Sequence, residues 1–172
     1  RGEGDLQVKP WSFTTRWVVS GDTDRAPLQY TLVHQFRPDL RAGLEFMPGK
    51  NRISPIVNWR FREAQGEAPA LALGMGTAWP SSKASGQAYS LTAARALGKN
   101  FSGYVAASYA PDANLWFAPA GLQYRLNRDW STKVMWDGDR LHPVVTHHAE
   151  QWSLSFLLLD GRDPTLSFSV GF

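Results

Sequence analysis

The sequence predicts an all-β protein, folded as an antiparallel up-and-down β-barrel of about twelve strands, with ten as the alternative count. Three observations support this fold class. Apolar and polar residues alternate along most of the chain, and turn-forming residues interrupt the alternation at short intervals. The 172 residues also carry 8 Trp, 9 Phe and 5 Tyr, and they include no Cys. Without Cys, disulfide scaffolds and Cys-ligated metal sites are excluded.

The alternation starts at Trp11, where Trp11, Phe13 and Trp17 occupy one face and Ser12, Thr14 and Arg16 the other. A period of two is typical of a strand with one apolar face, whereas an amphipathic helix repeats every three to four residues. No segment sustains a helical repeat without an intervening Gly, Pro or turn cluster. The same period recurs at Leu28–Phe36, 42–46, 57–61 and 152–158.

Turn signals divide the chain into these strands. They lie at 21–24, 37–39, 48–51, 65–67, 80–86, 98–100, 111–114, 127–129, 137–139, 147–150 and 160–164. Eleven turns imply twelve strands, and the turn at 147–150 has the weakest signal. Alternate turns form two sets: tight ones around Pro38, Gly66, Lys99 and Arg128, and longer, more polar ones between them. Because every second turn of a meander lies at the same end, the two ends of the barrel are predicted to differ.

Such a meander could be a soluble barrel with an apolar interior or a transmembrane barrel with an apolar exterior. The longest apolar stretch, about 68–76, is too short for a membrane-spanning helix, which needs about 20 residues. A twelve-stranded soluble barrel filled by side chains would be unusually wide, which favours the transmembrane form. Aromatic residues near strand ends also fit the interfacial rings of such barrels. We therefore expect lipid-interface positions at Trp11, Trp17, Trp59, Trp79, Trp116, Trp130, Trp136, Trp152 and Phe172.

The final segment, 165–172, alternates polar and apolar residues and stops at Phe172. It resembles the last strand of bacterial outer-membrane β-barrel proteins. The resemblance implies outer-membrane lipids as surroundings, the barrel-assembly machinery as a partner during insertion, and a mature chain whose export signal has been removed. That family places a Gly a few residues before its final aromatic pair, whereas Gly171 is penultimate here, and the resemblance identifies no subfamily.

On this reading, residues 1–10 form a polar N-terminal periplasmic segment and 11–172 a single barrel domain. The net charge of +3 comes from 18 basic residues spaced singly along the chain, so no nucleic-acid partner is expected. Residues opposite the apolar face would line the lumen. The charged ones are Arg16, Arg41, Glu45, Arg60, Arg62, Arg125 and Lys133.

These lumen charges are mostly positive, so they would attract anions into a narrow pore, or they would hydrogen-bond across the lumen and fill it. The sequence thus predicts a small outer-membrane barrel that acts as a narrow, anion-preferring pore or as a structural subunit of a larger envelope assembly with protein partners. The alternatives are a soluble or periplasmic barrel that binds an apolar ligand, and a lipid-modifying hydrolase.

We expect neither an enzyme nor a cofactor. A hydrolase would need a nucleophile beside a positioned base, and the candidates are His142, His147 and His148 with Ser153 or Ser155. No motif supports such a site, and His147 and His148 lack a third ligand at metal-binding spacing. Acidic residues gather at one predicted rim, namely Asp22, Asp24, Asp137, Asp139, Asp160 and Asp163, but Asp-Gly is also ordinary hairpin chemistry, so no metal site is predicted.

Overall fold

The computed structural model describes residues 9–19, 28–48, 52–77 and 86–172. Within them, twelve antiparallel strands close into a barrel, and a short thirteenth strand pairs outside the ring. The strands are β1 (Trp11–Val18), β2 (Leu28–Arg37), β3 (Leu40–Met47), β4 (Arg52–Arg62), β5 (Ala70–Thr77), β6 (Gln87–Ala96), β7 (Phe101–Ala110), β8 (Leu115–Phe117), β9 (Ala120–Arg125), β10 (Trp130–Trp136), β11 (Leu141–His148), β12 (Trp152–Leu159) and β13 (Asp163–Gly171). In the described chain, no helix is long and apolar enough to cross a membrane.

The barrel closes where the first strand meets the last. Strand β1 pairs with β2 on one side and with β13 on the other. Trp11 and Phe172 exchange both backbone hydrogen bonds at this seam, each 3.0 Å long. Every other strand of the ring pairs with its neighbours in sequence, and β7 meets β9. The predicted up-and-down barrel of twelve strands is therefore confirmed.

The turns agree with the sequence wherever the structure describes them. Strands β11 and β12 are separated at 149–151, where the backbone N–H of Ala149 donates to the carbonyl of Trp152. The weakest turn signal thus marks a real turn, and twelve strands rather than ten close the ring. One turn of 3-10 helix, Pro111–Ala113, follows β7, and Asn114 ends it in the left-handed conformation. The predicted turns at 21–24 and 80–85 and most of 48–51 lie outside the described residues.

A proline accounts for the short strand β8, which the sequence did not predict. Strands β8 and β9 pair with the same strand, β7, and in the same register. They are interrupted at Ala118 and Pro119, because Pro119 has no N–H to donate. Its carbonyl still accepts a hydrogen bond of 2.8 Å from the N–H of Ala106. Strand β8 thus extends the line of β9 beyond the ring.

The barrel wall has an apolar outer face and a mainly polar inner face. Along β12, Leu154 and Phe156 are exposed, whereas Ser153 and Ser155 between them are half-buried. Residues that face each other across antiparallel strands share a face of the sheet, so the same division continues around the ring. Thirty large hydrophobic residues of the described chain are exposed, and they form an extended apolar outer surface.

Two β-bulges break the alternation at one end of the barrel. One lies in β2 between Gln35 and Arg37, and the other in β4 between Arg60 and Arg62. A bulge adds a residue to one strand and shifts the faces of those beyond it. We call this end, with the turns at 38–39, 66–67, 98–100 and 127–129, the tight-turn end, and the opposite end the loop end.

Gly43 permits an unusually close approach between β2 and β3. A Cβ atom placed on Gly43 would meet the carbonyl oxygen of Leu32 at 1.9 Å. We expect Gly43→Ala to lower the free energy of unfolding by about 2 kcal/mol or more, because two backbones must separate. The matched control is Gly74→Ala on β5, whose Cβ would have no atom closer than 3.7 Å. Urea titration followed by Trp fluorescence measures both. Equal effects of the two substitutions would contradict this account.

Candidate functional site in the barrel interior

A row of hydroxyl side chains crosses one side of the inner wall. Ser131 lies opposite Thr146, Thr146 opposite Ser155, and Ser155 opposite Ser167. We call these four residues the hydroxyl row. The row is flanked by Arg125 on β9, which lies opposite Ser131, and by Arg16 on β1, which lies opposite Ser167.

Short hydrogen bonds join these hydroxyls to each other and to a histidine. Thr146 and Ser155 share one of 2.8 Å, and Ser131 shares another of 2.8 Å with Nε2 of His148. A second hydroxyl pair, Ser90 and Ser108, lies elsewhere on the inner wall, also at 2.8 Å. A hydroxyl both donates and accepts, so these pairs satisfy each other in an interior with few backbone groups to spare.

Most of the predicted lumen charges lie on the inner face by register. Arg16 is in register with Gln29 and Ser167, and Arg41 with Gln35 and Asn58.

Two further lumen charges also face inner-face residues. Glu45 lies opposite Thr31 and Ser54, and Lys133 lies opposite Gln123 and Val144. All of these, with Arg125, are half-buried. Oε2 of Glu45 is buried and has no hydrogen-bond partner among the described residues.

The two arginines at the β4 bulge differ from the others. Arg60 is in register with the inner-face residue Ala72, but its guanidinium lies 3.2 Å from the carboxylate of Glu63. It also donates to the carbonyl of Pro38 in the tight turn. Arg62, beyond the bulge, is exposed and lies opposite Leu71 instead of an inner-face partner. Among the described residues, the inner-face positive charge is thus carried mainly by Arg16, Arg41, Arg125 and Lys133, together with Arg52, which lies opposite Met47 at the loop end.

The opposite side of the interior is lined by small residues. On β5, β6 and β7 the inner face carries mostly Gly, Ala and Ser, with Tyr104 as the large exception. Twelve strands spaced about 4.8 Å apart and tilted by about 40° enclose a wall about 24 Å across between backbone centres. Small side chains on one wall leave more of that width open than a uniformly large lining would.

The interior is packed more tightly at the loop end between β10 and β13. Met135, Val144 and Leu157 form a buried apolar cluster there. Leu159 and Thr165 are fully buried beside it. This packing narrows the loop end of the barrel on the side that carries the hydroxyl row.

His142 links two turns at the same end. It is fully buried, and Nε2 lies 2.7 Å from Oδ2 of Asp137 in the β10–β11 turn. The backbone N–H of Asp160, in the β12–β13 turn, donates to Nδ1 over 3.0 Å. Because Nδ1 accepts a hydrogen bond, the ring proton lies on Nε2, which donates a hydrogen bond to the carboxylate of Asp137. One imidazole therefore ties the two neighbouring turns together, in a group that we call the His142 clamp (Asp137, His142 and Asp160).

Asp137 is held as a carboxylate by several donors. Its Oδ1 accepts from the backbone N–H groups of Asp139 and Arg140, at 2.9 and 2.8 Å. Burial raises the pKa of Asp137, but the hydrogen bonds from His142, Arg140 and Asp139 outweigh burial and lower it overall. The carboxylate thus organises its own turn.

Asp137, His142 and Asp160 also place three metal-ligating atoms within 4.8 Å of one another. However, the two carboxylates contact different nitrogens of the ring, with Oδ1 of Asp160 3.9 Å from Nδ1. One cation could not take both carboxylates and a ring nitrogen at ordinary ligand distances without rearrangement. Both ring nitrogens already have hydrogen-bond partners in the protein, so the geometry fits a hydrogen-bonded clamp better than a metal site. Of the predicted acidic rim, Asp22 and Asp24 lie outside the described residues.

The candidate hydrolase residues are not arranged as the sequence suggested. Nε2 of His148 shares its hydrogen bond of 2.8 Å with Ser131 on β10, which is not one of the candidate serines. His147 is on the outer face between two tryptophans, with ring centroids 4.7 Å from Trp130 and 5.5 Å from Trp152. Ser131 was missed by sequence reasoning, although its alternation with Trp130 placed it inward.

The predicted interface aromatics lie on the outer face, near the strand ends. Those described are 39–71% exposed: Trp11, Trp17, Trp59, Trp116, Trp130, Trp136, Trp152 and Phe172. Trp79 lies outside the described residues. At the tight-turn end the rings contact one another, as in the pair Trp11 and Phe172 with centroids 6.4 Å apart. The indole N–H of Trp59 donates to Asp39 at the rim, which leaves an apolar ring body and a polar edge.

Comparison with known proteins adds no relative: no protein-family model matches this chain, and no curated protein is significantly similar to it.

The His142 clamp should make the barrel sensitive to acid. Because the folded pKa of Asp137 is below its ordinary 3.8, its stabilising effect is complete above that value. It is lost as the pH falls through the lower folded pKa. Asp137→Asn should cost about 1–3 kcal/mol at neutral pH and flatten the acid branch of the stability profile.

Thermal unfolding from pH 7 to pH 2, followed by circular dichroism in detergent, measures this effect. Asp139→Asn in the same turn is the matched control, because the carboxylate of Asp139 pairs with the exposed Arg140 at 3.7 Å. If Asp137→Asn unfolds with the profile of the unmodified protein, the clamp does not stabilise the turns.

Proposed function

We propose that this protein is a small outer-membrane β-barrel that forms a narrow, anion-preferring pore. The observation that carries the proposal is the sidedness of the closed wall. Leucines and aromatic rings point outward and are exposed, while hydroxyls and arginines line the interior. In a bilayer this arrangement removes apolar surface from water and keeps the polar face hydrated.

Closure of the ring supports a membrane location. Unpaired backbone groups are very costly in hydrocarbon, so only helices and closed barrels span bilayers. The seam between β1 and β13 is paired over seven residues, from Ser12 to Val18. Rings of exposed aromatic residues near both ends fit the two membrane–water interfaces.

The charge of the interior supports the anion preference. Arg16, Arg41, Arg125 and Lys133 lie on the inner face against Glu45. Fixed positive charges in a channel with low-dielectric walls concentrate anions and repel cations. The acidic residues of the loop end are held in local contacts: Asp137 by His142, and Asp163 by Arg162 at 3.7 Å.

The other candidate functions receive less support. A soluble barrel for an apolar ligand would need the opposite sidedness, with leucines inside. A hydrolase would need a positioned acid and an oxyanion site around Ser131 and His148, and no sequence motif indicates one. A structural subunit of an envelope assembly would use the same barrel without conducting ions, so conductance separates it from the pore.

Purified protein in planar bilayers should form channels whose zero-current potential in a KCl gradient indicates preference for chloride. Arg16→Gln combined with Lys133→Gln should shift that potential toward potassium, since it removes two inner-face charges. Arg62→Gln, which removes an exposed charge outside the inner-face set, is the matched control. Absence of conductance in the folded protein would exclude the pore and leave the structural barrel.

The sidedness can be tested residue by residue, because the natural chain has no Cys. Single variants Ser155→Cys and Phe156→Cys place a thiol on adjacent residues of β12. In lipid vesicles, a charged water-soluble thiol reagent should modify the thiol at position 155 and leave that at 156 unmodified. Mass spectrometry measures the modified fraction. Modification at 156 but not at 155 would mean that the wall is inverted and that the membrane proposal is wrong.

A further inference from the structure

We propose that the hydroxyl row and its two flanking arginines form a binding track for small oxyanions, with inorganic phosphate as the simplest member of the class. This inference rests on the pore proposed above and names the chemistry of the solutes that the pore would favour. It depends on the relative positions of six residues on six neighbouring strands: Arg125, Ser131, Thr146, Ser155, Ser167 and Arg16.

The row runs along the pore as well as around it. Arg125 is the last residue of β9, at the tight-turn end, whereas Arg16 lies two residues before the loop end of β1. In-register residues lie perpendicular to tilted strands, so a row across six strands also climbs along the barrel axis. With strands about 4.8 Å apart and tilted by about 40°, the climb is about 15 Å. The row therefore connects the tight-turn side of the interior with the loop side.

The side chains of the row suit an oxyanion more than a simple halide. Hydroxyl groups rotate to donate to whatever acceptor is nearest, and those of Thr146 and Ser155 lie 2.8 Å apart, close enough to donate to two oxygens of one phosphate. A guanidinium donates two parallel hydrogen bonds to two oxygens of one phosphate or carboxylate. Chloride is attracted by the positive charge of the arginines, but as a single atom it cannot use the two parallel donors of a guanidinium. An oxyanion should therefore bind the track more tightly than a halide of the same charge.

Two hydrogen bonds to the tight turn hold the side chain of Arg125 at one end of this track. Its Nε donates to the carbonyl of Asn127 over 3.2 Å, and its Nη2 donates to that of Arg128 over 2.8 Å. Both acceptors are neutral carbonyl oxygens of the tight turn. These bonds anchor the guanidinium at the tight turn, at the end of the row where Arg125 lies in register with Ser131.

Not every hydroxyl pair of the inner wall has arginines beside it. Ser90 and Ser108 share the same 2.8 Å bond, but their in-register neighbours are Gly74 and Phe117. No arginine lies beside them in that register. This pair is therefore a natural control for the loss of hydroxyls from the inner wall.

The test measures how inorganic phosphate inhibits chloride current through single channels. In the unmodified protein, phosphate should reduce the current in a saturable way. The variant with Thr146→Val, Ser155→Ala and Ser167→Ala should need about tenfold more phosphate for half-inhibition, which corresponds to about one lost charge-assisted hydrogen bond. The control variant with Ser90→Ala and Ser108→Ala should change the value by less than about twofold.

The arginine ends are tested in the same way. Arg16→Gln and Arg125→Gln should each weaken inhibition by phosphate more than they reduce chloride conductance, because phosphate loses paired donors as well as charge. Arg62→Gln should change neither. If the triple variant fails to fold, as judged by heat-dependent mobility in gel electrophoresis, Ser155→Ala alone should weaken inhibition about threefold.

The possible results of these recordings distinguish the proposed oxyanion track from the proposed pore. Channels that conduct chloride but show no inhibition by phosphate, or equal inhibition in the track and control variants, would overturn the track and leave the pore. Folded protein that never conducts would overturn both proposals. Inhibition that weakens only in the track variants supports both.

Discussion

The closed circle of backbone hydrogen bonds between β1 and β13 is the constraint on which the other features of this barrel depend. An open sheet of twelve strands would expose two edges of unpaired N–H and C=O groups. Pairing the first strand with the last removes both edges, and the exchange of hydrogen bonds between Trp11 and Phe172 extends this pairing to the rim. Once the ring is closed, every side chain must point either into the interior or away from it.

This alternation of inward and outward positions separates polar from apolar side chains along each strand. Outward positions hold leucines, aromatic rings and even His147, whose polar ring is covered by Trp130 and Trp152. Inward positions hold hydroxyls that bond to one another and arginines such as Arg125, which donates to a turn carbonyl. A hydroxyl both donates and accepts, so hydroxyls that lie opposite each other on the inner face can bond to one another, as Thr146 and Ser155 do in the hydroxyl row.

The two ends of the barrel are stabilised by different means. At the loop end, His142 joins two turns through hydrogen bonds to both of its nitrogens, above a packed cluster of Met135, Val144 and Leu157. At the tight-turn end, bulges in β2 and β4 redirect the chain, and Arg60 contacts Pro38 and Glu63 across the rim. The loop end is therefore the more tightly packed of the two on the side of β10 to β13.

The sequence by itself determined the strands, the turns and the face on which most side chains lie, because a period of two and the turn residues are local properties. It also determined the outward position of Trp152 and the inward position of Arg16. Three features depend on the folded barrel. The bulge at Arg60 moved Arg62 out of the inner-face register, Pro119 split one strand into β8 and β9, and His148 paired with Ser131 on β10, which was not among the candidate serines. Each depends on the register between strands, which arises from contacts between residues far apart in sequence and cannot be read from the local pattern.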